Sequence, residues 1–198
     1  MVALPCHQNP DPSAAANGEQ PTVPPNQVGL VTFYEVGVRP KAIAVAGLNG
    51  DTNTDVAVVN VGDGSVTVLP GNGRGQLLAP GSFPAGKKPS DVDAVDVDRD
   101  GDMDLVIANH EAPTVTVLLN NGRGQFTPAV GSPFDTGARP HVHGLATGDF
   151  DGDGWIDIAV KALTQGRFAL LVGKGATLRR VKMCDRPVGL IADLKGDG

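Results

Sequence analysis

The chain is short of aromatic residues, of cysteine, of clustered positive charge and of long apolar runs, and each shortage excludes something. No run of about 18 apolar residues occurs, so no helix is expected to span a membrane. Of the two cysteines, Cys6 falls in a leader expected to lack structure, so no disulfide to Cys184 is expected. Lys and Arg number 16 against 22 Asp and Glu, a formal charge of −6, which argues against a nucleic-acid partner. The opening MVALPCHQNP has neither the basic start nor the apolar stretch of a signal peptide. A lipoprotein-type signal ending at Cys6 is the alternative, and the apolar stretch before it is too short for one. Catalytic signatures are missing too. Serines are few and lie in turns, and no G-x-S-x-G occurs. GNGRGQ and NNGRGQ each leave a strand for a hairpin, without the lysine or following helix of a phosphate loop.

Glycine, by contrast, is abundant, with 27 residues, and aromatics make only 4%. Short apolar segments separated by Gly, Asn and Pro turns indicate an all-β protein of many short strands. At 198 residues the chain can bury a sizeable core in one or two domains. Residues 1–26, rich in Pro, Ala and polar side chains without periodicity, read as a disordered leader or linker. The alternating QVGLVTFYEVG from Gln27 predicts a strand.

Two acidic loops organise the rest, DVDRDGDMD at Asp96–Asp104 and DFDGDGWID at Asp149–Asp157. Carboxylates stand at positions 1, 3, 5 and 9 and glycine at position 6, where it permits a sharp turn. Calcium takes six to eight oxygens at about 2.3–2.6 Å, which alternating acids on a tight turn supply. Without a cation, neighbouring carboxylates repel by roughly 1 kcal/mol per pair even at the dielectric of water. The candidate ligands are Asp96, Asp98, Asp100, Asp102 and Asp104 in one loop. In the other they are Asp149, Asp151, Asp153 and Asp157, with Trp155 offering its carbonyl from position 7. An EF-hand is excluded, because position 12 is Ile107 or Val160 and apolar strands, not helices, follow each loop.

The loops sit in a repeat. Equivalent first positions are Gly47, Asp96, Asp149 and Asp193, each shortly preceded by a proline: Pro40, Pro89, Pro140 and Pro187. A strand such as KAIAVA or SDVDAV enters the loop, and DVAVVN or DLVIAN leaves it. The near-identical VTVLPGNGRGQ and VTVLLNNGRGQ follow, and then a weaker fourth strand. Four short strands per unit of about 50 residues is the pattern of a β-propeller blade. The near-continuous apolar second strand suits a blade packed on both faces.

Proline, strand, D-x-[DN]-x-D-G-x-x-D, strand ending in Asn, V-T-V-L and G-x-G-x-F together resemble the FG-GAP/VCBS-type repeat of integrin α-like propellers, from about residue 27 onward. The resemblance implies four-stranded antiparallel blades, with repeats near 40–88, 89–139 and 140–186 and a truncated fourth from 187. It implies structural calcium in two well-formed sites, on the face opposite the usual partner-binding face. It also implies that the strand at 27–37 closes the ring. Two loops depart from the pattern. The first reads Gly47, Asn49, Asp51, Asn53, Asp55, with Thr52 at position 6, and is expected to bind poorly or not at all. The fourth, Asp193 to Asp197, places Lys195 among its acids, and that site is expected to be empty. About three and a half repeats fall short of the four to eight blades of a closed propeller. A fragment, or a ring completed by further copies, is therefore expected, with open blade edges favouring self-association.

His141 and His143, two apart on a strand, face the same way but lack a third ligand, so a surface pair is expected rather than a transition-metal site. Asn109, His110 and Glu111 read as a polar turn. Trp155 is expected to pack rather than to bind. The carboxylates are accounted for by metal, so they are not counted again as a glycosidase pair. The reading that follows is a non-catalytic calcium-binding scaffold, extracellular or at the cell surface, serving adhesion or recognition of a protein or glycan. The alternative is the propeller platform of a larger secreted enzyme, such as a polysaccharide lyase or a phospholipase-type hydrolase.

Overall fold

In the computed structural model, residues 31–137, 142–162, 167–174 and 178–180 are described. The chain divides into two units, 1–33 and 34–198, and apart from residues 31–33 everything below concerns the second. Among the described residues thirteen strands run in chain order: β1 (Pro40–Ala46), β2 (Asp55–Asn60), β3 (Ser65–Leu69), β4 (Gly81–Pro84), β5 (Pro89–Val95), β6 (Asp104–Asn109), β7 (Thr114–Asn120), β8 (Phe126–Pro128), β9 (Phe134–Asp135), β10 (Val142–Gly148), β11 (Asp157–Ala162), β12 (Arg167–Gly173) and β13 (Leu178–Arg180). They form three antiparallel up-and-down sheets, β1-β2-β3-β4, β5-β6-β7-β8 and β10-β11-β12-β13. This is the all-β, open propeller-type architecture expected from the repeat.

Register explains the repeat directly. Ala46 pairs Asp55, Val95 pairs Asp104 and Gly148 pairs Asp157, so each acidic loop is the hairpin between the first and second strands of its blade. In the second blade the outer strand comes in two pieces. β8 pairs the end of β7, and β9 pairs its start at Thr114 and Val115. Between them the Ser132 hydroxyl accepts the Val117 N–H at 3.0 Å, where the ladder would otherwise lapse.

Why the second strands are apolar throughout is clear from the packing. Along β6 successive side chains point to opposite faces. Leu105 and Ile107 join Ala57, Val59, Val66 and Val68 of the first blade in one core cluster. Val106 and Ala108 join Ile158, Val160, Ala169 and Leu171 of the third blade in the other. Phe83 and Phe126 meet edge to face across the first of these seams, with ring centroids 5.2 Å apart. Polar groups complete both seams. The Asp91 carboxylate of β5 accepts the Leu145 N–H of β10 at 3.0 Å, and Thr147 donates its hydroxyl to Asp93 at 2.6 Å. The Asn120 amide donates to the Leu48 carbonyl of the first blade at 2.8 Å.

The strand expected over residues 27–37 is not found in its described part. Residues 31–36 have no regular structure, and residues 27–30 lie outside the described set. Alternation becomes a strand only where a neighbour takes the backbone donors and acceptors. None of the described strands pairs with this stretch.

On β1, Ile43 and Val45 are 63% and 61% exposed, pointing away from the second blade. An Ile107→Ala change is therefore expected to lower unfolding free energy by about 3 kcal/mol, while Ile43→Ala changes it by less than about 0.5 kcal/mol. Urea denaturation of both variants checks this. Equal losses would mean that the outer face of β1 is buried in solution.

Candidate metal centres

Position 9 of each acidic loop is not solvated. Asp55, Asp104 and Asp157 are fully buried, and each carboxylate accepts two backbone N–H groups. For Asp104 the donors are Val97 at 2.9 Å and Asn120 at 2.8 Å. For Asp157 they are Phe150 at 2.9 Å and Gly173 at 2.8 Å. For Asp55 they are Leu48 at 2.7 Å and Gly71 at 2.8 Å. One donor lies in the loop and the other beyond the end of the third strand or at its last residue, so this carboxylate ties the hairpin to the rest of its sheet. The first loop keeps the brace although it has lost other acids. Sequence reading assigned position 9 only to metal, and its survival in the degenerate first loop is the signal that separates the two roles.

Position 1 is caged by amides as well. Asp96 accepts N–H from Arg99 at 2.7 Å and Gly101 at 3.0 Å, and Asp149 accepts from Gly152 and Gly154, both at 2.8 Å. That geometry needs left-handed backbone at positions 4 and 6. Gly152 and Gly154 have φ of 77° and 84°, Arg99 and Gly101 of 66° and 94°. Arg99 thus holds a conformation that favours glycine. Its guanidinium lies 4.2 Å from the Trp155 ring centroid, joining the second and third loops by a cation–π contact. A Cβ on Gly154 would collide with that guanidinium. Trp155 therefore packs, as expected, against the neighbouring blade's loop.

The remaining acids gather. Ligand oxygens of Asp96, Asp98 and Asp104 lie within 4.8 Å of one another, as do those of Asp149, Asp151 and Asp153. Oxygens sharing one calcium ion at about 2.4 Å can be at most about 4.8 Å apart, so both clusters fit such an ion. Although Asp104 already accepts two amides, each of its oxygens keeps a second lone pair. Asp100, Asp102 and Asp157 belong to the same loops but not to these triads. Asp100 accepts the Asp102 N–H at 2.9 Å, and Asp153 accepts the Trp155 N–H at 2.8 Å. Burial, together with the adjacent Asp100 charge, pushes Asp98 above the usual carboxylate range. Burial raises Asp157 as well, and raises Asp104 to about 6, outweighing the amide hydrogen bonds that oppose it. A bound calcium ion would neutralise this crowding.

The first loop is wired differently. The Asn49 side-chain amide donates to Asp51 at 3.0 Å, and Asp51 in turn accepts the Asn53 N–H at 2.7 Å. That N–H is the main reason the Asp51 carboxyl lies below its usual range. With Gly47 at position 1, only Asp51 and Asp55 supply carboxylates there, and the Asn49 amide takes up one Asp51 oxygen. Asp193, Lys195, Asp197 and His141 lie outside the described residues.

The polar turn after β6 proves to be more than a turn. The Asn109 amide is buried and donates to the Thr114 and Thr116 hydroxyls at 3.2 and 2.9 Å, bracing β6 to β7. His110 meets His143 of the third blade edge to face, at 4.6 Å between centroids. Glu111 pairs with Lys88. These partners are distant in sequence, so short-range reading could not supply them.

Residues 47–107 and 96–160 each match the FG-GAP-like repeat, together spanning more than half the chain. The chain belongs to the FG-GAP-like repeat family. The matches begin at the first position of an acidic loop and end within the second strand of the following blade, so the FG-GAP unit and the structural blade are offset by one strand. Among curated proteins, none is similar enough to count as a relative.

In cation-free protein, folded Asp104 binds its proton more tightly than it does in the unfolded chain, where the value is near 3.8. Its contribution to stability is thus fully present below about pH 4 and is lost as pH rises through about 6. Urea denaturation in EDTA across this window is expected to show the decline, and millimolar calcium to diminish it. A rise in stability over the same window would contradict the assignment. A second expectation concerns the brace. Asp55→Ala strands two buried N–H groups and should lose about 2–4 kcal/mol equally in calcium and in EDTA. A loss confined to calcium would make Asp55 a metal ligand first.

Proposed function

We propose that this FG-GAP repeat chain is a non-catalytic, calcium-stabilised β-propeller scaffold of an exported or cell-surface protein, serving adhesion or the recognition of a protein or glycan. The observation that carries the reading is the pair of carboxylate triads, each within the span of one hard cation, with Asp98 of the first desolvated and crowded by Asp100. The calcium is structural in this reading. It fixes the hairpin between the first two strands of a blade, beside the seam with the next, and has no substrate to polarise. Extracellular calcium, at about 0.1–1 mM affinity, suits loops of this kind, which supports export. The platform of a larger secreted enzyme is the second reading, favoured by the same rigid sheets without a nucleophile. An appended catalytic domain in the full reading frame would decide for it.

Thermal melts in excess EGTA, in calcium and in magnesium test the proposal. Two sites of Kd near 0.1 mM in about 2 mM calcium should add about 3–4 kcal/mol. The melting temperature is expected to rise by several degrees with calcium and hardly at all with magnesium. Asp98→Ala and Asp151→Ala should each lower it only when calcium is present. Identical melts in all three solutions would leave the loops as turns and end the proposal.

A further inference from the structure

The end of the sheets opposite the acidic loops has the opposite charge. A cavity of about 310 Å³ opens there, lined by Arg39 and Lys41 of the first blade, Lys88, Ser90 and His110 of the second and His143 of the third. Its size is at the lower end of small-ligand pockets. In a chain of net charge −6 this is a local reversal. Neither Arg39 nor Lys41 has a carboxylate partner among the described residues, and Lys88 pairs with Glu111 at the rim. The floor and wall are held firmly. The buried Ser90 hydroxyl lies within hydrogen-bond distance of the Ala108 and Val142 carbonyls, at 3.3 and 3.2 Å, and the two imidazoles stand edge to face.

The backbone supplies a second observation. Arg39 and Lys88 hold φ of 58° and 50°, at the same position of successive repeats, immediately before Pro40 and Pro89. Left-handed backbone disfavours long side chains, and a following proline disfavours it further. Glycine would relieve the strain, yet a long cation occupies the position both times. In the sequence the same basic residue–proline pair recurs as Arg139–Pro140 and Arg186–Pro187. Strain kept at equivalent positions points to use of the side chain.

We propose that this cavity binds the oxyanion group of a small ligand, a phosphate, sulfate or sugar carboxylate. Arg39 supplies a guanidinium fork matched to paired oxygens, Lys41 and Lys88 supply point charges, and His110 and His143 flank the group. The site deepens the recognition reading above by giving it a ligand chemistry, and it does not require calcium in the loops. Glu111 competes with the ligand for Lys88.

Isothermal titration of the full chain with inorganic phosphate, inorganic sulfate and glucuronate, at constant ionic strength and with glucose as neutral control, tests this. At least one oxyanion is expected to bind saturably, and glucose is not. Arg39→Gln should weaken that binding about tenfold, Glu111→Gln should strengthen it, and Arg123→Gln, remote from the cavity, should leave it unchanged. Arg39→Gly should melt no lower than the parent while losing the ligand, which separates lost binding from lost folding. Absence of saturable binding up to about 10 mM of all three oxyanions, or binding undiminished by Arg39→Gln and Lys88→Gln, would overturn the proposal. A flat titration defeats this site and a melt unmoved by calcium defeats the metal reading, so the two failures are distinguishable.

Discussion

Each of the three described blades depends on one carboxylate that water does not reach. Asp55, Asp104 and Asp157 each take one N–H from the hairpin and one from the end of the neighbouring third strand or just beyond it. A buried ionised group is costly unless its hydrogen bonds are met, and here the backbone meets them. That closes the hairpin in a fixed shape, which in turn places the remaining acids. In the second loop burial and the neighbouring Asp100 crowd Asp98, a strain that a bound cation would offset. Asp104 of that loop belongs both to this brace and to the triad with Asp96 and Asp98, so there the two roles would share a side chain.

The seams between blades follow from the same repetition. A strand with apolar residues on both faces cannot be stable in one sheet alone, and β6 is covered from either side by its neighbours. The polar residues of β5 would be anomalous in a strand covered on both sides. They are explained by Asp91 and Asp93 receiving donors from β10.

Much of this was legible in the sequence, because a repeat shows its own alignment. The boundaries of β2 and β6, the hairpin character of the acidic loops and the two-sided burial follow from DVAVVN, DLVIAN and the spacing of the aspartates. What escaped is what depends on partners far along the chain. The bracing role of position 9 needs Gly71, Asn120 and Gly173, sixteen residues away. The contact of His110 with His143 crosses between blades. The alternation of residues 31–36 misled for the converse reason: a local pattern was present, but no described strand supplies the neighbour it requires. Left-handed backbone at Arg39, Lys88 and Arg99 escaped as well, since no glycine marks it.

Trp155 is the chain's one tryptophan, and it lies at the third acidic loop beneath the guanidinium of the second. Nature has in effect placed a single fluorophore at the junction of two acidic loops. Its emission belongs to that seam alone, so the protein carries its own optical gauge of how firmly its second and third blades are joined there.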